Sequence, residues 1–445
     1  MFALRFAGAR AAAAFALLTL LALAPKADAM KIQSVKSPGG IEAWLMEEHS
    51  VPLLALRFAL AGGNAQDPSG KEGLANFLTG MMDEGAGDLT AAVFQERMEE
   101  IAMKMGFEDG RDTIYGSLTT LTANRDAAVE LLRLVLVKPR FDADAVERVR
   151  AQLLANLAYA AKDPSSVAAK EWSALAFPGH PYGRPPSGTA ETVAAITRAD
   201  LQTYHKRTFA KGKLKVVAVG DIDAAALGQL LDRVFGDLPQ QPDLVSVPAT
   251  APKTGGLQKV VEMDVPQSVA LFGHGAMPIK DPDYIPAFVL NHILGGGGFA
   301  SRLMEEVREK RGLAYSVYSY LLDLDRASVF GGGVATKNEE VARSLEVIKA
   351  TLANLAAEGP TPEELDSAKK NLIGAYALRF DTNSKIANQL LWILMEDLGI
   401  DYVVRRNGLI DAVTLDDVKR VAKRLIRTGD LIVTVVGKPK NLQSQ

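Results

Sequence analysis

The chain has 445 residues, 48% hydrophobic and 23% charged, the balance of a well-packed protein with more than one domain. Its net charge of −3 argues against nucleic acid as a bulk electrostatic partner, and no run of Lys or Arg offsets it. The absence of cysteine excludes disulfides, thiolate metal sites, a thiol nucleophile and lipid attachment through an N-terminal cysteine.

The chain opens on a segment of different character. Arg5 and Arg10 mark a positive start, an uncharged apolar run extends from Ala11 to Pro25, and Ala27-Asp28-Ala29 is a small-x-small cleavage signature. An apolar stretch of about 15 residues is short for a bilayer crossing and fits a secretory signal peptide over 1–29, with an uncleaved anchor as the alternative. Cleavage near Ala29 would remove Arg5, Arg10, Lys26 and Asp28 and leave a charge of about −5. The expected location is a bacterial periplasm, or outside the cell, and no later segment reaches membrane-spanning length.

The remainder repeats itself. An apolar strand from Lys213 ends at Gly220, and a matching strand from Leu431 ends at Gly437, 217 positions later. Each follows a helical segment of the same character, Arg198 to His205 and Thr414 to Val421. Helix candidates at Ala145 to Ala161 and Glu363 to Ala377 stand at nearly the same offset, as do Asp67-Pro68 and Asp281-Pro282. The spacing predicts two copies of one domain, 30–235 and 257–445, joined by a proline-containing extended linker at 236–256. Val- and Leu-rich strands alternate with amphipathic helices such as Asp142 to Tyr159 and Asn338 to Glu358. The expected class is α+β: duplicated domains, each a mainly antiparallel sheet with helices on one face and the other face free, set like a clamshell.

In chain order, the first segment able to carry chemistry is the helix from Gly73. Asn76, Thr79 and Gly80 lie at i, i+3 and i+4 and project from one face. Zinc peptidases of the inverted type place His, Glu and His there, two ligands and a general base. Amide, hydroxyl and hydrogen cannot replace them, so Asn76, Thr79 and Gly80 are degenerate zinc-motif positions. Asp83 and Glu84 are expected to be solvated charges at the helix end. The stretch that would carry a third ligand, Val149 to Leu157 with Asn156 in it, holds no carboxylate. The histidines at 49, 180, 205, 274 and 292 are scattered and form no i,i+3 or i,i+4 pair, so no metal is assigned to this chain. No Gly-x-Ser-x-Gly elbow appears.

The second segment runs from Leu294 to Ser316. Gly295, Gly296, Gly297 and Gly298 are read as opening a helix, but no Lys-Ser/Thr follows to make a phosphate loop. A loop whose backbone approaches another chain is the preferred use of these glycines, and they are substrate-binding candidates. Arg308 and Tyr315 offer fixed donors and a phenolic O–H, the groups wanted beside a developing oxyanion. The structural alternative pairs Arg308 with Glu305 or Glu309 and lets Tyr315 cap a sheet.

Ser301 to Leu303 and Val307 to Ser316, with the duplication, the linker and the His180 to Gly183 loop, resemble the pitrilysin-type zinc peptidases (inverzincins). The nearest subfamily contains mitochondrial processing peptidase and bacterial two-subunit peptidases, and the resemblance covers nearly the whole chain after the leader. It implies a chamber in which unfolded peptides are cut at a zinc ion. It maps an in-trans catalytic Arg/Tyr pair onto Arg308 and Tyr315, with Tyr315 on the oxyanion and Arg308 on a substrate carbonyl. Because the first half lacks every zinc position, the chain resembles the non-catalytic subunit of such a heterodimer, with zinc held by a homologous partner. The other reading is a pseudopeptidase with a structural or peptide-binding role and no part in turnover.

Overall fold

A computed structural model describes residues 31–444, and the leader assigned to 1–29 lies outside the described residues. The first half contains β1 (Ile32–Lys36), β2 (Glu42–Glu47), β3 (Leu53–Ala61), a short ribbon of β4 (Gly85–Ala86) and β5 (Leu89–Thr90), β6 (Lys104–Asp109), β7 (Thr113–Leu121) and β8 (Lys215–Gly220). Its helices are α1 (Leu74–Met81), α2 (Ala91–Glu100), α3 (Arg125–Val137), α4 (Ala143–Ala160), α5 (Pro164–Ala176), α6 (Ala190–Ala195), α7 (Arg198–Thr208) and α8 (Ala224–Phe235). The second half contains β9 (Gln258–Glu262), β10 (Gln267–Gly275), β11 (Ala314–Leu324), β12 (Ala327–Lys337) and β13 (Ile432–Gly437). Its helices are α9 (Tyr284–Asn291), α10 (Val341–Glu358), α11 (Pro362–Gly374), α12 (Asn383–Met395), α13 (Tyr402–Asp411) and α14 (Leu415–Leu425).

The sheets run β1-β2-β8-β3-β7-β6 and β11-β12-β10-β13-β9. Pairing is antiparallel except for β2 with β8 and β13 with β9. Local signals explain the repeated landmarks. Thr197 and Asp200 form a capping box on α7, as Thr414 and Asp417 do on α14, and each helix ends in basic residues that suit its C-terminal dipole. Strands β8 and β13 both stop on a glycine at positive φ, Gly220 at 136° and Gly437 at 149°. A Cβ would lie 2.0 Å from Leu53 O at the first and 2.3 Å from Ser268 Oγ at the second, so only glycine fits either end.

The expected free sheet face needs correction. Leu54, Leu56, Phe58 and Leu60 of β3 face the helices of their own half, while Ala55 and Ala59 point to the opposite side. There they meet α12 of the second half through Ile386, Ala387, Leu390 and Leu391, together with Val217 and Val219 of β8. Small residues on β3 let the helix approach closely. Burial on both faces is why β3 reads as a continuous apolar run with a single Arg57. That arginine donates from Nε to Asn388 Oδ1 of α12 at 2.8 Å and from Nη1 to Leu118 O at 3.1 Å.

The second sheet is covered in return by α5 of the first half. Trp172 Nε1 donates to Ile432 O at 3.1 Å, and Thr434 Oγ1 donates to Ala168 O at 3.1 Å. Gly273 of β10 leaves room for the indole, since a Cβ there would lie 2.9 Å from it. Residues 236–256 carry no helix or strand and are held down along their length. Gln66 exchanges hydrogen bonds with Val245, His180 Nε2 meets Pro248 O at 3.0 Å, and Lys253 N donates to Ala176 O at 2.9 Å.

A helix exchanged each way makes the halves one cooperative unit. Leu390 is fully buried, and Leu390→Ala should destabilise the protein by about 2–5 kcal/mol in denaturant titration. Wild type should unfold in a single transition seen alike by fluorescence and circular dichroism, and separate transitions for the two halves would contradict the exchange.

Candidate functional site

The helix with the degenerate zinc-motif positions is α1, and its placement starts from Asp67. The buried carboxyl group accepts from Gly73 N at 2.9 Å and Ala75 N at 3.0 Å, satisfying amides that the helix leaves open. Leu74, Phe77, Leu78 and Met81 then enter the first core and turn Asn76, Thr79 and Gly80 toward one side. Asn76 Nδ2 donates to Asp109 Oδ1 at 2.9 Å, and Asp109 Oδ2 accepts from Asn64 Nδ2 at 2.9 Å. Thr79 Oγ1 donates back to Asn76 O at 2.9 Å, so its hydroxyl is spent on its own helix. At Gly80 an added Cβ would meet only Val149 Cγ1 of α4, at 3.4 Å.

These residues do not fit a zinc ion. The cluster offers amides, a hydroxyl and one carboxylate that already accepts two hydrogen bonds. Asn156 on the neighbouring α4 accepts from Gln152 Nε2 at 2.9 Å on an exposed face. Among the described residues no group of three or more His, Cys, Asp or Glu is arranged to hold a metal. Asp83 and Glu84 differ from the expectation of solvated charges: Asp83 accepts from Gln95, and Glu84 pairs with Arg148 of α4. Both tie neighbouring helices to the end of α1.

The structure brings Arg308 and Tyr315 together. Arg308 lies on a π-helical turn, Met304–Glu309, anchored by buried Met304 and Val307. Gly312 at φ 60° turns the chain into β11, where an irregularity between Ala314 and Ser316 leaves Tyr315 outside the register, 78% exposed. The Arg308 guanidinium carbon stands 4.9 Å from the Tyr315 ring centroid and 4.7 Å from that of Phe299. The cation therefore contacts two aromatic rings. Its Nε lies 3.5 Å from Glu309 Oε1, the pairing the structural alternative named, while Nη1 is buried without a hydrogen-bond partner among the described residues. Phe299 was not singled out in the sequence. An aromatic directly after a glycine run, on an exposed turn, was the available signal.

The glycine run needs a second correction, because it closes a helix. Helix α9 continues into a π-turn over His292–Gly296, with a 3-10 turn at Gly298–Ala300. Gly295 is buried against β11, where a Cβ would lie 2.5 Å from Ser319 N, whereas Gly296 and Gly298 are exposed beside Phe299. Strand β11 is one edge of its sheet, β9 being the other. Tyr318 and Tyr320 stack at 6.2 Å and lie across Gly333 and Gly331, whose missing side chains make the space. Tyr315, Tyr318 and Tyr320 are all exposed on this strand.

Two models of the same peptidase family match successive parts of the chain. "Insulinase (Peptidase family M16)" matches residues 46–190, and "Peptidase M16 inactive domain" matches 195–372. The boundary between them falls before β8, the strand that completes the first sheet. The chain is 28% identical over 396 residues to the non-peptidase homolog YmxG of Helicobacter pylori, covering 88% of this chain and 91% of that one. It is 27% identical over 434 residues to an uncharacterized zinc protease of Mycobacterium tuberculosis, covering 95% and 97%. A solved peptidase M16 inactive domain from Pseudomonas fluorescens superimposes with a TM-score of 0.86 at 28% identity, over 93% of this chain and 99% of that one.

Asp67 gives this region a pH signature. Burial pushes its carboxyl up to about 8, against the two amide hydrogen bonds, which act in the opposite direction. The folded chain then holds a proton that the unfolded chain releases near 3.8, so stability falls as pH rises from there to about 8. Urea midpoints across that window should decline for wild type and change less for Asp67→Asn; equal slopes would contradict the assignment.

Proposed function

The chain belongs to the M16 peptidase family as a non-catalytic member, and we propose that it supplies Arg308 and Tyr315 to the active site of a homologous, zinc-bearing subunit. One contrast carries this reading. The α1 positions are occupied by residues unable to bind zinc, yet Arg308 and Tyr315 are held together at an open surface. A packing tyrosine would be buried, and Tyr315 is mostly exposed. Arg308 is positioned by Phe299 and Tyr315 before any ligand arrives, which lowers the ordering cost of binding.

In this reading the partner contributes zinc, its water and the base. This chain's residues act on the substrate. An extended, unfolded peptide lies along the β11 edge, with the exposed Gly296–Gly298 backbone beside it and Tyr318 and Tyr320 offering apolar contact. Arg308 donates to a substrate carbonyl, and the Tyr315 hydroxyl donates to the oxygen that becomes negative as the peptide carbonyl turns tetrahedral. The apolar stretch within 1–29, read as a secretory leader, supports a site of work in the periplasm or outside the cell. No helix among the described residues is long and apolar enough to cross a membrane.

Reconstitution tests the proposal. The chain alone should cleave nothing. Mixed with an M16 homologue bearing an intact His-x-x-Glu-His, it should give a chelator-sensitive peptidase. Tyr315→Phe should lower kcat about 10²-fold while leaving complex formation unchanged, the scale of losing one oxyanion donor. Full activity of that variant would leave the chain as a structural or peptide-binding subunit.

A further inference from the structure

A second candidate site lies away from Arg308 and Tyr315 and shares no residue with them. Helices α9, α12 and α13 and the 3-10 turn Ala375–Phe380 line a solvent-open cavity of about 510 Å³. Tyr284, Phe288, Trp392 and Tyr402 line it together with aliphatic and polar side chains, and no Asp or Glu does. Within the wall stands Arg406, only 7% exposed. Its guanidinium carbon is 4.1 Å from the Tyr376 ring centroid and 5.7 Å from that of Phe288. Nη1 donates to Leu372 O at 3.2 Å and Asn407 Oδ1 at 3.1 Å, and among the described residues no carboxylate pairs with this cation.

A buried guanidinium without an anion is costly, and burial pulls its proton affinity down. The fold keeps it while surrounding it with rings. Tyr376 is 5% exposed, and its hydroxyl has no partner among the described residues. Arg379 and Lys385 add positive charge to the lining, Lys385 being paired with Asp381 at 2.7 Å. The volume suits a ligand of a few residues' size, and largely apolar walls with a few polar and charged groups are the usual composition of a small-ligand site.

We propose that this cavity binds a carboxylate carried on an aromatic or branched apolar body, with Arg406 as its anchor. The C-terminal residue of a peptide and a free aromatic acid share that chemistry. Asn388 and Trp392 also line the groove between α12 and strands β6 and β7, so the cavity adjoins the contact between the halves.

The test uses the full chain and follows Trp392 fluorescence and heat of binding. The probes are N-acetylphenylalanine, its amide, 3-phenylpropionate and N-acetyl-Ala-Ala-Phe. The acid should bind at least about tenfold tighter than the amide, and Arg406→Gln should abolish that preference. Tighter binding of the tripeptide than of 3-phenylpropionate assigns the site to peptide C-termini, and the reverse order assigns it to free aromatic acids. Equal binding of acid and amide by wild type, or no binding of the acid, overturns the proposal. That comparison needs no variant, so it stands whether or not Arg406→Gln folds.

Discussion

The structure depends on an exchange of helices: α5 leaves the first half to cover the second sheet, and α12 leaves the second half to cover the first. Neither sheet could keep that face dry by itself. Ala55 and Ala59 on one side and Gly273 on the other are small so that these helices can approach closely. Arg57 with Asn388, and Trp172 with Ile432, add directional bonds to apolar contact. The linker is then held at several points and has little freedom to let the halves move apart.

On that shared frame the halves have diverged at equivalent places. Helix α1 and helix α9 follow the corresponding strands β3 and β10. The first keeps its shape through the buried Asp67 but carries an amide, a hydroxyl and a glycine at the ligand positions. The second runs into a π-turn and a glycine run that brings Phe299 beside Arg308. Arg308 and Tyr315 thus lie on the second half, at the start of an edge strand, with the Tyr315 ring exposed.

Much of the fold was legible because its determinants are local. The capping boxes at Thr197 and Thr414, the strand-ending Gly220 and Gly437, and the prolines of the linker each carry their instruction within a few residues. The common face of Asn76, Thr79 and Gly80 was legible too, since i, i+3 and i+4 spacing sets it. Three features were not. A helix covering a distant sheet looks like any amphipathic helix until its target is known, so the second sheet face was expected to be free. The glycine run was read as a helix start because the π-turn that absorbs it leaves no pattern in the sequence. Phe299, Asp109 and Arg406 are single residues whose roles come from neighbours far away in the chain, and no spacing rule marks them.

The central claim is that Tyr315 works against a substrate bound at another chain's metal. A photo-crosslinking residue in place of Tyr315 tests this most directly, in the presence of a labelled unfolded peptide. With the zinc-bearing subunit present and its zinc base removed to stop turnover, the account requires crosslinks from position 315 to the peptide. Without that subunit they should fall to background. Crosslinks of equal strength with and without the partner, or none to peptide in either case, would contradict it.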